Sequence, residues 1–314
     1  MTQIATVLGH IDTADLGFTL MHEHIFILSP GVYSNWPHLW NHDAEIENAI
    51  STMEKMKAAG IDTIVDLTTV DLGRDPILIN EVAQNSPVNI IMCTGVWRQP
   101  PNVFQSLDSD SIADLFVKDI EDGIASSQIH AGIIKLATEP TVDEENEKML
   151  RSGARAHRRT GVPISTHTDV RTESGIAQQN IFEDEGVDLS RVVIGHSGDT
   201  TDINYLTRLM ERGSTIGMDR FGIDRALTTE ERIDTIVKLC ELGFSKQIVL
   251  SHDTNCQMDA RKREDRQEIM PNWHYLHISQ DVLPELRARG VSEEQINQMT
   301  ITNPKRIFDQ QGSY

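Results

Sequence analysis

The sequence is constrained most by one alternation: eight short apolar runs, rich in β-branched residues, separated by amphipathic stretches. The runs fall at 18–21, 63–67, 89–93, 132–136, 163–166, 192–194, 215–218 and 248–251. Each is short and apolar on both sides, as expected of strands covered on both faces in a parallel sheet. Between them, Ile46, Ala49, Ile50 and Met53 repeat at helical spacing. So do Ile112, Leu115, Phe116 and Ile120, and later Ile233, Ile236, Val237 and Cys240. Thr141 with Glu144, and Thr228 with Glu231, have the spacing of capping boxes that open helices.

Eight strand–helix alternations predict an α/β fold, a closed (β/α)8 barrel, for which about 250 residues suffice. No Pro/Gly/Ser-rich linker divides the chain, so residues 1–314 are expected to form a single domain. Residues 29–41 and 254–280 exceed ordinary loop length and follow the first and last strands. They are expected to rise over the mouth where such barrels keep their active sites. Residues 2–17 are expected to form a small hairpin closing the opposite end.

Charge narrows the partners. Lys and Arg number 28 against 48 Asp and Glu, a formal net charge of -20, which repels nucleic-acid backbones and anionic membrane faces. Cys93, Cys240 and Cys256 form no CxxC pair and no disulfide framework. The first basic side chain is Lys55, so no basic region of a secretory signal precedes it. The expectation is a soluble cytoplasmic protein.

The chemistry lies at the strand ends. His22 and His24 stand two apart, so on a strand both rings face one side. Lys135 interrupts the apolar run 132–136. His167 follows the fifth run, His196 the sixth and Asp253 the eighth. Taken singly, each is more often a structural hydrogen-bonding residue. A barrel brings strand ends to one mouth, and six such groups there outweigh that view. A lysine facing the interior is costly unless neutral or paired; held neutral, it can add CO2 to become a carbamate that bridges two cations. Four imidazoles, a carbamate and a carboxylate make a mixed nitrogen and oxygen shell for two divalent ions. Zinc suits it best, with cobalt, iron or manganese as alternatives. His252 is expected to face the opposite side of the last strand. His10, His38, His42, His130, His157, His274 and His277 fall on the hairpin, loops or helix faces and carry no comparable signal. The acidic run 143–147 and the mixed run 261–266 fit solvated surfaces. A catalytically silent metal-binding barrel is the competing class, but a structural site is coordinatively closed.

The stretches TVLGHIDTADLGFTLMHEH, GIDTIVDLTT, AGIIKLATE, PISTHT, VVIGHSGDTTD, GMDRFGID, VLSHD and NPKRIF, taken together, resemble the phosphotriesterase family of the amidohydrolase superfamily, above all its lactonase branch. The resemblance implies that His22, His24 and Asp253 hold a buried metal and His167 and His196 a more exposed one. Carboxylated Lys135 would bridge them together with an attacking hydroxide. Asp253 would take a proton and pass it toward Asp199, Arg220 would sit beside the substrate, and Trp97 and Asn255 would line the pocket. DLGRDP and TGVWRQPP resemble the triesterases instead, which carry His where Arg220 stands. Lactonases usually have Tyr in place of Trp97 and Cys in place of Asn255. The implied activity is hydrolysis of N-acyl-homoserine lactones, a quorum-quenching chemistry, with organophosphate triesters as secondary substrates. A dedicated organophosphate triesterase or aryl esterase is the alternative. A homodimer is implied by the same resemblance.

Overall fold

The computed structural model describes residues 2–138, 140–259, 261, 263–309 and 312–314. Eight strands form the central sheet: β1 (Thr19–Glu23), β2 (Thr63–Asp66), β3 (Asn89–Gly95), β4 (Ile133–Ala137), β5 (Ile164–His167), β6 (Val192–Ile194), β7 (Thr215–Met218) and β8 (Ile248–Leu250). They pair in strict chain order, every ladder parallel. Helices return the chain between strands, so the sheet curls into a (β/α)8 barrel. Among the described residues no ladder joins β8 back to β1. Single hydrogen bonds cross that seam instead: Asp253 N donates to His22 O at 3.1 Å and His22 N to Ser251 Oγ at 2.8 Å.

Strand identity matches the apolar runs; strand ends do not. β1 continues through His22 and Glu23 because both side chains find buried partners, so polarity does not end the strand. Thr228 and Glu231 form the expected capping box of helix Thr229–Glu241. At 141–144 the expectation fails. The Asp143 carboxylate accepts from Asn146 N, so the helix starts at Glu144 with an aspartate cap and leaves Thr141 outside.

Two apolar layers result. One lies between sheet and helices, where Ile46, Ala49, Met53 and Met56 of helix His42–Ala58 are buried. The other fills the barrel interior, where Val65 and Leu67, and Ile91 and Cys93, stand two apart along their strands. Ile4 of the antiparallel hairpin Gln3–Thr6/Gly9–Asp12, with Ile307 and Phe308 of helix Asn303–Phe308, packs against that interior set. Of the two long segments, 29–41 carries the short helix Val32–Asn35. The other adds Gln257–Met258 in parallel beside Phe26–Ile27, then helix Arg263–Ile269. Glu139 of the AGIIKLATE stretch and Lys262 of the 261–266 run lie outside the described residues. Among the described residues no helix is long and apolar enough to cross a membrane.

Candidate metal centre

Period two along the strands decides which polar residues enter the barrel. Ile133 belongs to the interior layer, so Lys135, two residues on, points the same way and is 1% exposed. Gly95 lets β3 approach this point. At φ +107°, a Cβ there would meet the Lys135 carbonyl oxygen at 2.0 Å. Burial drives the Lys135 ammonium pKa down to about 8, against the pull of Asp253 and Asp219. Its Nζ lies 3.1 Å from His22 Nε2.

The imidazoles are oriented by the partners of their other nitrogens. His22 Nδ1 lies 2.9 Å from Asp219 Oδ2 and His196 Nδ1 3.0 Å from Asp219 Oδ1, while His24 Nδ1 meets Thr68 Oγ1 at 2.9 Å. A carboxylate only accepts, so both Nδ1 atoms facing Asp219 carry the proton and the Nε2 atoms present bare lone pairs. Burial, reinforced by Lys135, lowers the His22 pKa; burial and Arg220 push that of His196 well down. Both shifts favour the neutral ring that a metal ligand needs.

Those lone pairs face one another. His196 Nε2 is 2.7 Å from His167 Nδ1, an atom that also accepts from Trp97 Nε1 at 3.3 Å. His22 Nε2 and His24 Nε2 lie 3.4 and 3.2 Å from Asp253 Oδ1. Converging lone pairs repel unless a cation sits among them, so this donor set fits divalent metal ions. His22, His24 and Asp253 form a group whose ligand atoms lie within 4.8 Å of one another. Geometry also groups His22, His196 and Asp219, but there the close atoms are the Nδ1–H donors and their acceptor. Asp219 therefore acts as the carboxylate that aims two rings.

A ladder of alternating charge leads away from Asp253. Arg220 Nε donates to Asp253 Oδ2 at 3.2 Å and Nη1 to Asp199 Oδ2 at 2.7 Å; the buried Arg232 reaches Asp199 Oδ1 at 2.8 Å. Burial alone would raise the Asp253 pKa, but His22, His24, His196 and Arg220 outweigh it and hold it well below the carboxylate range. Asp253 and His196 both adopt left-handed backbone conformations, φ 54° and 59°, the kind of strain that functional sites concentrate.

His22, His24, Lys135, His167, His196, Asp253, Trp97 and Arg220 line one cavity of about 450 Å3, walled also by Ile27, Leu28, Leu72 and Met258. Asp199 stands behind Arg220 rather than on this cavity. Asn255 departs from expectation: its side chain accepts from Arg266 Nη1 and lines a separate cleft, because the chain turns outward after Asp253. Sequence reasoning missed Asp219 and Glu23. Asp219 had a signal, an acid directly after the seventh strand. Glu23, between the two histidines, faces the other way and accepts from His252.

A phosphotriesterase family model matches residues 2–308. The chain is 47% identical over 325 residues to a phosphotriesterase homology protein of Mycobacterium tuberculosis, with all of both chains covered. It is 38% identical to an aryldialkylphosphatase of Saccharolobus solfataricus, covering 95% of this chain and 96% of that one. A solved structure of the phosphotriesterase from Mycobacterium tuberculosis superposes with a TM-score of 0.96 at 47% identity, with both chains covered completely. Barrel, donor cluster and these similarities converge: the chain belongs to the phosphotriesterase family and is a metal-dependent hydrolase.

Proposed function

We propose that this protein opens lactones of the N-acyl-homoserine type and hydrolyses organophosphate triesters as a secondary activity. The carrying observation is that Arg220 and Asp253 line the same cavity as the aliphatic side chains of Ile27, Leu28, Leu72 and Met258, with Asp71, Gln99, Asp259 and Arg261 also on its wall. Such a cavity suits a polar head that hydrogen-bonds and a tail that is aliphatic. His22, His24 and Asp253 would hold one divalent ion and His167 and His196 a second, with Lys135, carboxylated, serving both; zinc suits these donors best. When bound, the ions supply Lewis acidity and a nucleophilic water at neutral pH.

The remaining work falls to side chains. Asp253, kept ionised, accepts the proton of the attacking water and returns it to the leaving alkoxide. Arg220 donates to Asp253 Oδ2 and Asp199 Oδ2, which leaves Nη2 to donate to the substrate. A guanidinium has no acceptor lone pair, so the proton does not travel through Arg220 to Asp199. Asp199, held by Arg232, fixes Arg220 instead. Trp97 gives a flat wall beside His167.

A dedicated triesterase is the second reading, favoured by the indole face of Trp97, which suits an aryl leaving group, and by the likeness to an aryldialkylphosphatase. The test is kcat/KM of metal-replete protein on a long-chain acyl-homoserine lactone and on paraoxon, with chelator controls. A higher value on the lactone supports the first reading; the reverse ratio establishes the second. Three buried free thiols, Cys93, Cys240 and Cys256, support work in a reducing compartment such as the cytoplasm.

A further inference from the structure

A second cleft, of about 150 Å3, opens beside the segment that follows Asp253 and shares only Trp273 with the lining of the main cavity. It is smaller than the roughly 300–1,000 Å3 of pockets that hold substrate-sized ligands. Lys55 of helix His42–Ala58 lines it together with Asn255, Arg263 and Arg266. Arg263 pairs with Glu45 at 2.6 Å. Arg266 donates to Asn255 Oδ1 and to the Cys256 carbonyl at 3.3 Å, and its guanidinium carbon lies 5.8 Å from the Trp273 ring centroid. Among the described residues, neither Arg266 nor Lys55 has a carboxylate within ion-pair range. Among the described residues, two buried donors, Arg266 Nε and Asn255 Nδ2, have no hydrogen-bond partner, and Asn255 is only 6% exposed. Three cations against one carboxylate is a local reversal in a chain of net charge -20.

Buried donors without acceptors are costly, and both unpartnered buried atoms on this cleft are donors. The need is for an acceptor-rich, compact anion approached from several directions, which favours a tetrahedral oxyanion over a planar one. We propose that Lys55, Asn255, Arg263 and Arg266 form a binding site for a small oxyanion of the phosphate class. The anion clips the segment after Asp253 to helix His42–Ala58. Met258 and Arg261 of the same segment wall the main cavity, so the anion stiffens one side of the substrate site.

Limited trypsin digestion of the metal-loaded full chain reads this directly, as the rate of cleavage after Arg261, Arg263 and Arg266. Inorganic phosphate is compared with sodium chloride at equal ionic strength. The expected result is a saturable slowing by phosphate, roughly five- to ten-fold, because binding reduces the open population by mass action. Lys55→Gln, an exposed change, should abolish the slowing and leave the rate in chloride unaltered. Asn255→Ala should weaken it. Cleavage unaffected by phosphate overturns the proposal. So does equal slowing in wild type and Lys55→Gln, which would put the anion elsewhere, the metal centre included. Hydrolysis does not enter the readout, so the outcome is independent of the lactone reading.

Discussion

The Glu23 carboxylate lies 2.7 Å from the His252 imidazole, and neither side chain is exposed. Glu23 also accepts from Ser251 Oγ at 2.8 Å, His252 N at 2.9 Å and Thr254 N at 2.9 Å. One carboxylate thus stands in for the missing ladder between β1 and β8, and it does so from between His22 and His24. The segment it grips carries Asp253.

Glu23→Gln keeps the volume but turns an NH2 group toward donors. Stability should fall by about 3 kcal/mol, as when one partner of a buried pair is removed. Urea unfolding measures this, and metal analysis should show reduced loading. Unchanged stability and full loading together would mean that backbone contacts alone hold the seam.

Asp219→Asn leaves a barrel of the same shape with two imidazoles free to rotate or change tautomer. Metal affinity should drop by about 10–100-fold, the usual effect of losing a carboxylate that orients ligating histidines. Chelator competition measures it; an affinity indistinguishable from wild type would remove Asp219 from the site.

Lys135→Ala should abolish hydrolysis, and added acetate or propionate should restore part of it by supplying the missing anion. Restored activity should track restored metal content. Full metal loading without rescue would assign Lys135 a purely structural amine.

Arg220→His should lower kcat/KM on the lactone by about ten-fold or more while sparing paraoxon, since the loss of a charge-assisted hydrogen bond is worth about 1.5–3 kcal/mol. Equal loss on both substrates, with metal retained, would mean that Arg220 serves mainly to fix Asp253 and Asp199.

His157 offers a pH prediction away from the metals. Its Nδ1–H donates to the Val162 carbonyl at 2.7 Å and Nε2 accepts from the Tyr314 hydroxyl at 2.6 Å, a neutral tautomer. Burial lowers its pKa to about 4 from 6.5. The folded state therefore binds this proton less readily than the unfolded chain. Its contribution is intact above pH 6.5 and is lost as pH falls toward 4, up to about 3 kcal/mol. In His157→Gln, urea stability at pH 7.5 should be lower, and the further drop to pH 4.5 smaller than in wild type. Parallel pH profiles would contradict this.

Much of the molecule was legible before folding. Short runs apolar on both sides identify strands covered on both faces, and all eight barrel strands lie where such runs occur. A charged residue inside a run, Lys135, and imidazoles at run ends mark the interior mouth, because period two determines which side chains enter it. Helix starts were less legible: at 141–144 two acceptors compete for the same N-terminal amides, and spacing cannot say which one wins.

The sequence by itself determined the strand–helix alternation and the types of donor at the strand ends, since both follow from local periodicity and side-chain chemistry. Tertiary structure alone decided how those donors are aimed. Asp219 turns His22 and His196, Arg232 holds Asp199 against Arg220, and Glu23 closes the seam beneath Asp253. Each of these contacts joins residues from different strands and helices, so its existence depends on barrel closure and its geometry on hydrogen-bond distances that no linear spacing encodes.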